Sequence, residues 1–282
     1  MKTLTILTVA FFTTSCDGPR TAPSPMQPRQ ELLMIAPDID SLKIGAVEKL
    51  AAVIVAPDNT RRSVAAAWES DAPEIVAISD DGQLQATSLG ATTIRVRFEQ
   101  LTAANAVRVV PDVEGIWTGR YRVVSCSRLS GRGPDLCRYE LTGNGAIYPL
   151  RVILAQRGGK IDGTLDLYNS AGGVLQVGTV EGLVASSGSI DLSGTVRSVY
   201  AEGNLRTVVS EWHAGLTGDG SGMTGGFIRT STFENFWGPQ QITMECMLLD
   251  LHRSTVEITY AVGEMHRERV ETGASVSTTV AN

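Results

Sequence analysis

Hydrophobic and polar residues alternate along most of this chain with a period of two. Ile94, Val96 and Phe98 fall on one face of residues 92–98, and the same spacing recurs in residues 161–168. Successive side chains of a β-strand point to opposite faces, so this period predicts strands rather than helices. Turn signals rich in glycine, proline and aspartate separate the alternating segments. The pattern therefore predicts an all-β protein.

Residues 31–111 contain short strand candidates with turns between them, which is typical of a β-sandwich. Four motifs follow in order: WESD at 68–71, IVAIS at 75–79, GQLQA at 82–86 and GATTI at 90–94. This series resembles the bacterial immunoglobulin-like domain, group 2. The resemblance implies an immunoglobulin-like sandwich that serves as a spacer or binding module in bacterial surface proteins and is not itself catalytic.

Residues 112–254 contain about eight strand candidates, nearly all joined by hairpin turns. An antiparallel up-and-down meander of this length closes into a β-barrel, because closure removes exposed edges. The opening segment 115–121, GIWTGRY, is similar to the first strand of lipocalin-like and avidin-like barrels. The resemblance implies the fold, with Trp117 packing the closed end, and it does not extend to a ligand.

The chain begins with Lys2, an apolar run over residues 4–12 and a small-residue exit at Ser15-Cys16. This arrangement is typical of a secretory signal, and the run is too short to span a bilayer. Ser15-Cys16 resembles a bacterial lipobox, although Thr13 stands where that family usually has leucine. The resemblance implies a lipoprotein-type signal peptide over residues 1–16 and an acylated Cys16. The alternative is that Cys16 is an ordinary residue of a secreted protein.

Residues 17–30 contain four prolines, which favour extended backbone and predict a tether between anchor and folded part. At the other end, residues 255–282 are predicted to hold one extra strand followed by a flexible tail. Together these segments predict a protein of the bacterial cell envelope, anchored to a membrane by its N-terminal lipid and facing the periplasm or the cell surface.

The formal net charge is -6, and no segment forms a basic stripe, which argues against a nucleic-acid partner. Besides Cys16 there are three cysteines, and an exported chain meets an oxidising compartment. Cys126 and Cys137 flank a loop rich in glycine and proline, so a disulfide between them is expected. Cys126–Cys246 is the main alternative, since the first and last strands of a closed barrel are neighbours.

Eight strands leave an interior that is just filled by side chains or that holds one small ligand. The aromatic residues Trp117, Tyr121, Trp212 and Trp237 are candidates to line such a lumen and to contact an apolar or carbohydrate ligand. The alternative interpretation is that these rings pack the core and rim of the barrel.

No convincing catalytic, cofactor or metal site emerges from the sequence. Residues 220–225 fit G-x-G-x-x-G, but a strand rather than a helix is predicted to follow, so they indicate a hairpin. Glu211 and His213 share one strand face, a minimal general-base arrangement that lacks a nucleophile motif. The acidic residues of segment 71–81 fit turns better than a calcium site.

These observations favour a non-enzymatic binding protein of the cell envelope, in which the sandwich is a spacer and the barrel recognises a ligand. The alternative is a structural or protein-interaction lipoprotein without a small-molecule ligand. A contiguous exposed apolar patch outside the barrel would favour that alternative.

Overall fold

The computed structural model describes residues 30–138, 143–199, 205–235 and 238–254. The predicted signal peptide, nearly all of the tether, and the tail at 255–282 lie outside the described residues. Within the described part, the chain forms β-strands and one 3-10 turn, Leu136–Arg138, so the all-β prediction is confirmed.

The N-terminal region forms three small sheets. Its ten strands are β1 (Leu32–Ala36), β2 (Ser41–Lys43), β3 (Val47–Lys49), β4 (Ala51–Val55), β5 (Arg61–Val64), β6 (Ala67–Ser70), β7 (Val76–Ile78), β8 (Gln83–Ala86), β9 (Gly90–Phe98) and β10 (Leu101–Val110). They pair in the orders β1-β4-β5, β2-β10-β9-β6 and β3-β8-β7. Only β2 and β10 run parallel among these described pairs. The result is a sandwich-like arrangement of sheets.

Two hydrophobic clusters fill the space between these sheets. Ile94 and Leu84 are 0 % exposed in one cluster, and Ile54 is 0 % exposed in the other. Ile35 and the half-buried Trp68 pack against both clusters. Trp68 therefore lies where a core residue of the sandwich is expected, and it joins the two halves of that core.

The C-terminal region is a closed antiparallel barrel, as predicted. Its eight strands follow chain order around the wall, and the first pairs with the last. They are β11 (Gly115–Ser130), β12 (Ile147–Arg157), β13 (Lys160–Tyr168), β14 (Val174–Val184), β15 (Ser189–Ser198), β16 (Arg206–Leu216), β17 (Gly222–Asn235) and β18 (Gly238–Arg253). Every second side chain points inward, which builds one continuous buried cluster.

The segment between β10 and β11, residues 111–114, closes one end of the barrel. Val110 and Val113 are 2 % and 0 % exposed and belong to the barrel core. The Gln156 side chain donates through Nε2 to the Pro111 carbonyl oxygen at 2.9 Å. Its Oε1 accepts from the Val113 backbone N–H at 2.7 Å. We call this sealed end the proximal end and the opposite one, where the β11–β12 hairpin turns, the distal end.

Contacts with the sandwich strengthen the proximal seal. The Ser41 Oγ accepts a hydrogen bond from the Gly159 N–H at 2.9 Å, and Lys43 donates to Glu114 at 2.5 Å. Gly158 has a φ of +56°, and a Cβ added there would lie 2.5 Å from the Ser41 carbonyl oxygen. Glycine is thus required at position 158 both by its backbone conformation and by the close approach of the two regions.

Candidate functional site

The proximal end of the barrel is tightly sealed. Trp117 is 0 % exposed, and its Nε1–H donates to the Val113 carbonyl oxygen at 2.9 Å. The Arg253 guanidinium lies 5.1 Å from the centre of the Trp117 ring. Arg253 also pairs with the Asp112 carboxylate at 3.7 Å and donates to the Asp112 backbone oxygen. The cation here has a carboxylate partner, and the tryptophan packs the closed end as its resemblance implied.

The distal half of the barrel has a polar interior. Its buried polar side chains are 0–7 % exposed and come from the inner faces of β14, β16, β17 and β18: Gln176, Thr207, Arg229, Ser231 and Gln240. Because burying polar groups is costly without hydrogen bonds, such a cluster needs partners inside the barrel.

Three of these side chains form hydrogen bonds with one another. Gln176 Nε2 donates to Thr207 Oγ1 at 2.9 Å, and the Thr207 and Ser231 hydroxyls share a hydrogen bond of 2.7 Å. Gln240 donates instead to the Arg132 backbone oxygen in the β11–β12 hairpin. These four groups therefore form a structured polar wall near the distal end.

Arg229 is different, because no described side chain balances its charge. It is 7 % exposed, and one terminal nitrogen donates to the Tyr121 hydroxyl at 2.5 Å. Its Nε has no hydrogen-bond partner, and no acidic side chain of the described residues forms a salt bridge with it. Arg229 is not among the site residues predicted from the sequence, although the two-residue period of β17 places Phe227, Arg229 and Ser231 on one face.

A disulfide-bonded hairpin covers the distal end. Cys126 of β11 is bonded to Cys137 of the 3-10 turn, which confirms the predicted pairing over the alternative with Cys246. Leu136 and Ala146 of the same hairpin pack against the barrel core. Cys246 stays a free thiol, buried on the inner face of β18. The cover is thus cross-linked to the wall that it closes.

The predicted ligand-contact residues do not form one group. Tyr121 and Trp212, each 1 % exposed, both contact Phe227: Tyr121 edge-on at 5.2 Å and Trp212 stacked at 4.8 Å between ring centres. Trp117 lies instead in the proximal seal, under Arg253. Trp237 lies outside the described residues. In the described structure the three rings make core contacts, and their contact with a ligand stays a prediction.

The low polarity around the aromatic cluster changes the acidity of two groups. Burial raises the pKa of the Tyr121 hydroxyl to about 12, with the nearby Arg229 opposing the change. Burial likewise raises the pKa of the Cys246 thiol to about 12, again opposed by Arg229. Both groups are therefore neutral at physiological pH, and neither compensates the charge of Arg229.

Glu211 and His213, which the sequence suggested as a minimal general-base pair, do not form a hydrogen-bonded pair in the structure. Both side chains are exposed on the outer face of β16, where a bulge interrupts the pairing and gives Glu211 a φ of +50°. His213 Nδ1 hydrogen-bonds to Asp191 of the neighbouring strand β15 rather than to Glu211. This surface pair faces solvent, on the opposite side of the wall from Arg229.

The acidic segment of the sandwich is engaged by basic side chains. Arg95 binds Asp71 through two hydrogen bonds of 2.8 Å, and Lys49 donates to Asp81 at 2.6 Å. Hydrogen bonds from Lys49 and Ser79 lower the pKa of Asp81 to about 2. Within the described ranges, no group of three or more His, Cys, Asp or Glu side chains is arranged to hold a metal ion.

An exposed apolar strip lies on the outer face of the β1-β4-β5 sheet. Leu32 and Met34 are 62 % and 46 % exposed. Met34, Val53 and Val55 line a shallow groove of about 240 Å³ beside the arginines of β5. This strip is the type of surface that the protein-interaction alternative requires, and it follows directly after the predicted tether.

Comparison with known proteins identifies no family for this chain. No protein-family model matches the chain, and no curated protein matches it. Among solved structures, it is similar to domains 5–6 of the S-layer protein SbsC, with 14 % sequence identity and a TM-score of 0.26. The match covers 78 % of this chain and 98 % of that one. No helix among the described residues has the length and apolar character needed to cross a membrane.

Proposed function

We propose that this chain is an exported, lipid-anchored protein of the bacterial cell envelope that acts as a non-enzymatic binding module. The immunoglobulin-like region, with its motif series at 68–94, serves as the spacer. The barrel is the recognition domain. Cys16 carries the lipid, and the proline-rich segment 17–30 separates the anchor from the folded part.

The contrast between the two barrel ends carries this proposal. The proximal end is occupied by residues 111–114 and by contacts with the sandwich, so it offers no access to a ligand. The distal half instead combines a polar wall, an aromatic cluster and the charge of Arg229, which no described side chain balances. Pockets with an apolar lining and a few converging polar groups are typical of ligand sites.

A second function has its own supporting observation. The exposed strip of Leu32 and Met34 is a candidate contact for an envelope protein, because adjacent apolar side chains at a surface mark interaction sites. In that case the chain is a structural lipoprotein, and the barrel interior has no small-molecule ligand.

Mass spectrometry of the intact protein, expressed with its full sequence and purified from the membrane fraction, tests the proposal. We expect residues 1–15 to be absent, Cys16 to carry acyl chains, and native spectra to show a small molecule retained by the barrel. The Cys16→Ala variant is the control and should leave the membrane fraction while it keeps the retained molecule. An unmodified Cys16 contradicts the anchoring, and a ligand-free native spectrum favours the structural alternative.

A further inference from the structure

Arg229 is a buried cation without a counter-charge from any residue that the structure describes. An arginine side chain does not lose its proton in proteins, so it cannot neutralise itself as a buried lysine does. A buried charge without a partner of opposite sign is costly. The uncharged Tyr121 hydroxyl is its one hydrogen-bond partner among the described residues. Among the described residues, the interior of the barrel therefore supplies no negative charge to balance this arginine.

Arg253 provides an internal reference for this inference. Both arginines lie over an aromatic ring of β11, Arg253 at 5.1 Å from Trp117 and Arg229 at 5.9 Å from Tyr121. Both also have an Nε without a hydrogen-bond partner. Only Arg253 has a carboxylate partner, Asp112, within the described part of the chain. Within the described residues, the arrangement of an arginine over an aromatic ring of β11 thus occurs once with a carboxylate partner and once without.

The neighbours of Arg229 indicate the chemistry of the missing anion. Trp212 Nε1 is a second buried donor without an acceptor, and its ring stacks on Phe227. Phe227 precedes Arg229 by two residues on the inner face of β17 and contacts the Tyr121 ring. The interior consequently offers surplus N–H donors beside an apolar aromatic surface.

We propose that Arg229 anchors a binding site for a small monocarboxylate with an apolar body. The planar guanidinium matches the geometry of a carboxylate, and its Nε edge is unused. The aromatic cluster of Tyr121, Trp212 and Phe227 contacts the apolar body. Arg229 is the one arginine of the described distal interior that is buried, and its single charge balances one negative charge, which disfavours a phosphate dianion. Arg128 of the same region is half-buried and donates to the Gly133 carbonyl oxygen. This inference rests on the proposed binding function of the barrel and specifies its ligand class.

Titration calorimetry on the full mature chain tests the site with four probes. Hexanoate carries both required features, 1-hexanol has the apolar body alone, acetate has the carboxylate alone, and inorganic phosphate has a different charge. We expect hexanoate to bind at least about tenfold more tightly than each of the others, which corresponds to about 1.4 kcal/mol. Its binding should disappear as the pH falls below the pKa of the ligand, near that of a glutamate side chain.

Arg229→Gln should weaken hexanoate binding at least about tenfold, whereas Arg122→Gln, which changes an exposed arginine on the outer face of β11, should leave it unchanged. Should Arg229→Gln fail to fold, the pH dependence in the unaltered chain decides the question alone. Equal binding of hexanoate and 1-hexanol, tighter binding of phosphate, or no binding of any probe overturns the inference. If a retained molecule still appears in native spectra in that case, the binding function stands and only the ligand class is wrong.

Discussion

The two ends of the barrel differ in how their buried polar and charged groups find partners. At the proximal end, the Gln156 side chain accepts a hydrogen bond from the Val113 N–H and donates one to the Pro111 carbonyl oxygen. The Asp112 carboxylate balances the charge of Arg253. At the distal half, the hydroxyl and amide groups satisfy one another, but Arg229 has no carboxylate among the described residues. The first arrangement is complete without any other molecule. The second is the arrangement expected where a ligand supplies the missing group.

The ends also differ in how the chain closes them. Residues 111–114, which connect the sandwich to the barrel, enter the proximal end. Val113 of this segment packs in the hydrophobic core of the barrel, so the closure is part of that core. The distal cover is a hairpin held by the bond between Cys126 and Cys137. Small secreted folds commonly use such a cross-link where packing alone is insufficient. We therefore expect the distal closure to depend on the disulfide and the proximal closure to depend on hydrogen bonds and packing.

Removal of the disulfide should have the largest effect. In the Cys126→Ser/Cys137→Ser double variant, we expect the free energy of unfolding to fall by about 3 kcal/mol, because a closed loop of this length limits the unfolded chain. Urea denaturation followed by tryptophan fluorescence measures the change. Adding a reductant should reproduce this loss in the unaltered protein and have no effect on the double variant. If the reductant leaves the unaltered protein unchanged, the distal cover does not need its cross-link.

Gln156→Leu should weaken the proximal end by a smaller amount. The substitution leaves the Val113 N–H and the Pro111 carbonyl oxygen buried without their side-chain partner. We expect a loss of about 2 kcal/mol and faster proteolysis within residues 111–114. The matched control is Gln85→Leu, which changes an exposed glutamine of β8. A cleavage rate equal to that of the control would show that the connection is held by something other than Gln156.

The sequence predicted the parts of this structure that depend on local periodicity. Alternation located the eight barrel strands, and the loop composition between Cys126 and Cys137 indicated their bond. The partner of His213 escaped prediction because Asp191 lies on another strand, and its register is set by a bulge near Glu211. Such pairings depend on the relative position of neighbouring strands, which a single sequence does not display.

Arg229 escaped prediction for a different reason. A face that carries arginine and serine has the composition of a solvent-exposed face, so alternation alone assigns it to the outside of the barrel. The inward direction becomes evident only when Phe227 is placed in the core and the period is continued to Arg229 and Ser231. The aromatic candidates had the opposite problem. The sequence offers Tyr121, Trp212 and Trp117 together as candidates to line the lumen, but the separation of the first two from Trp117 along the barrel axis depends on the register of the strands.

The part of the pH dependence of stability that comes from Cys246 should be the smallest effect, and it reports on the inner face of β18. Burial raises the pKa of the Cys246 thiol to about 12, whereas an unfolded chain has a cysteine pKa near 8.5. The thiol's contribution to stability is therefore fully present below the unfolded pKa and is lost as the pH rises toward the folded one. Between about pH 8 and about pH 9.5 we expect this group to lower the free energy of unfolding by about 1 kcal/mol.

Urea denaturation at the two pH values measures this loss, and the Cys246→Ala variant is the control. The variant will be less stable at every pH because it leaves a cavity, so the relevant quantity is the change between the two pH values. Other groups that titrate in this range are common to both proteins and cancel in the comparison. Tyr121 contributes little here, because an unfolded tyrosine titrates near pH 10. An equally steep loss in the variant would mean that water reaches the inner face of β18, and the distal half would then be an open, hydrated site in which the charge of Arg229 needs no bound anion.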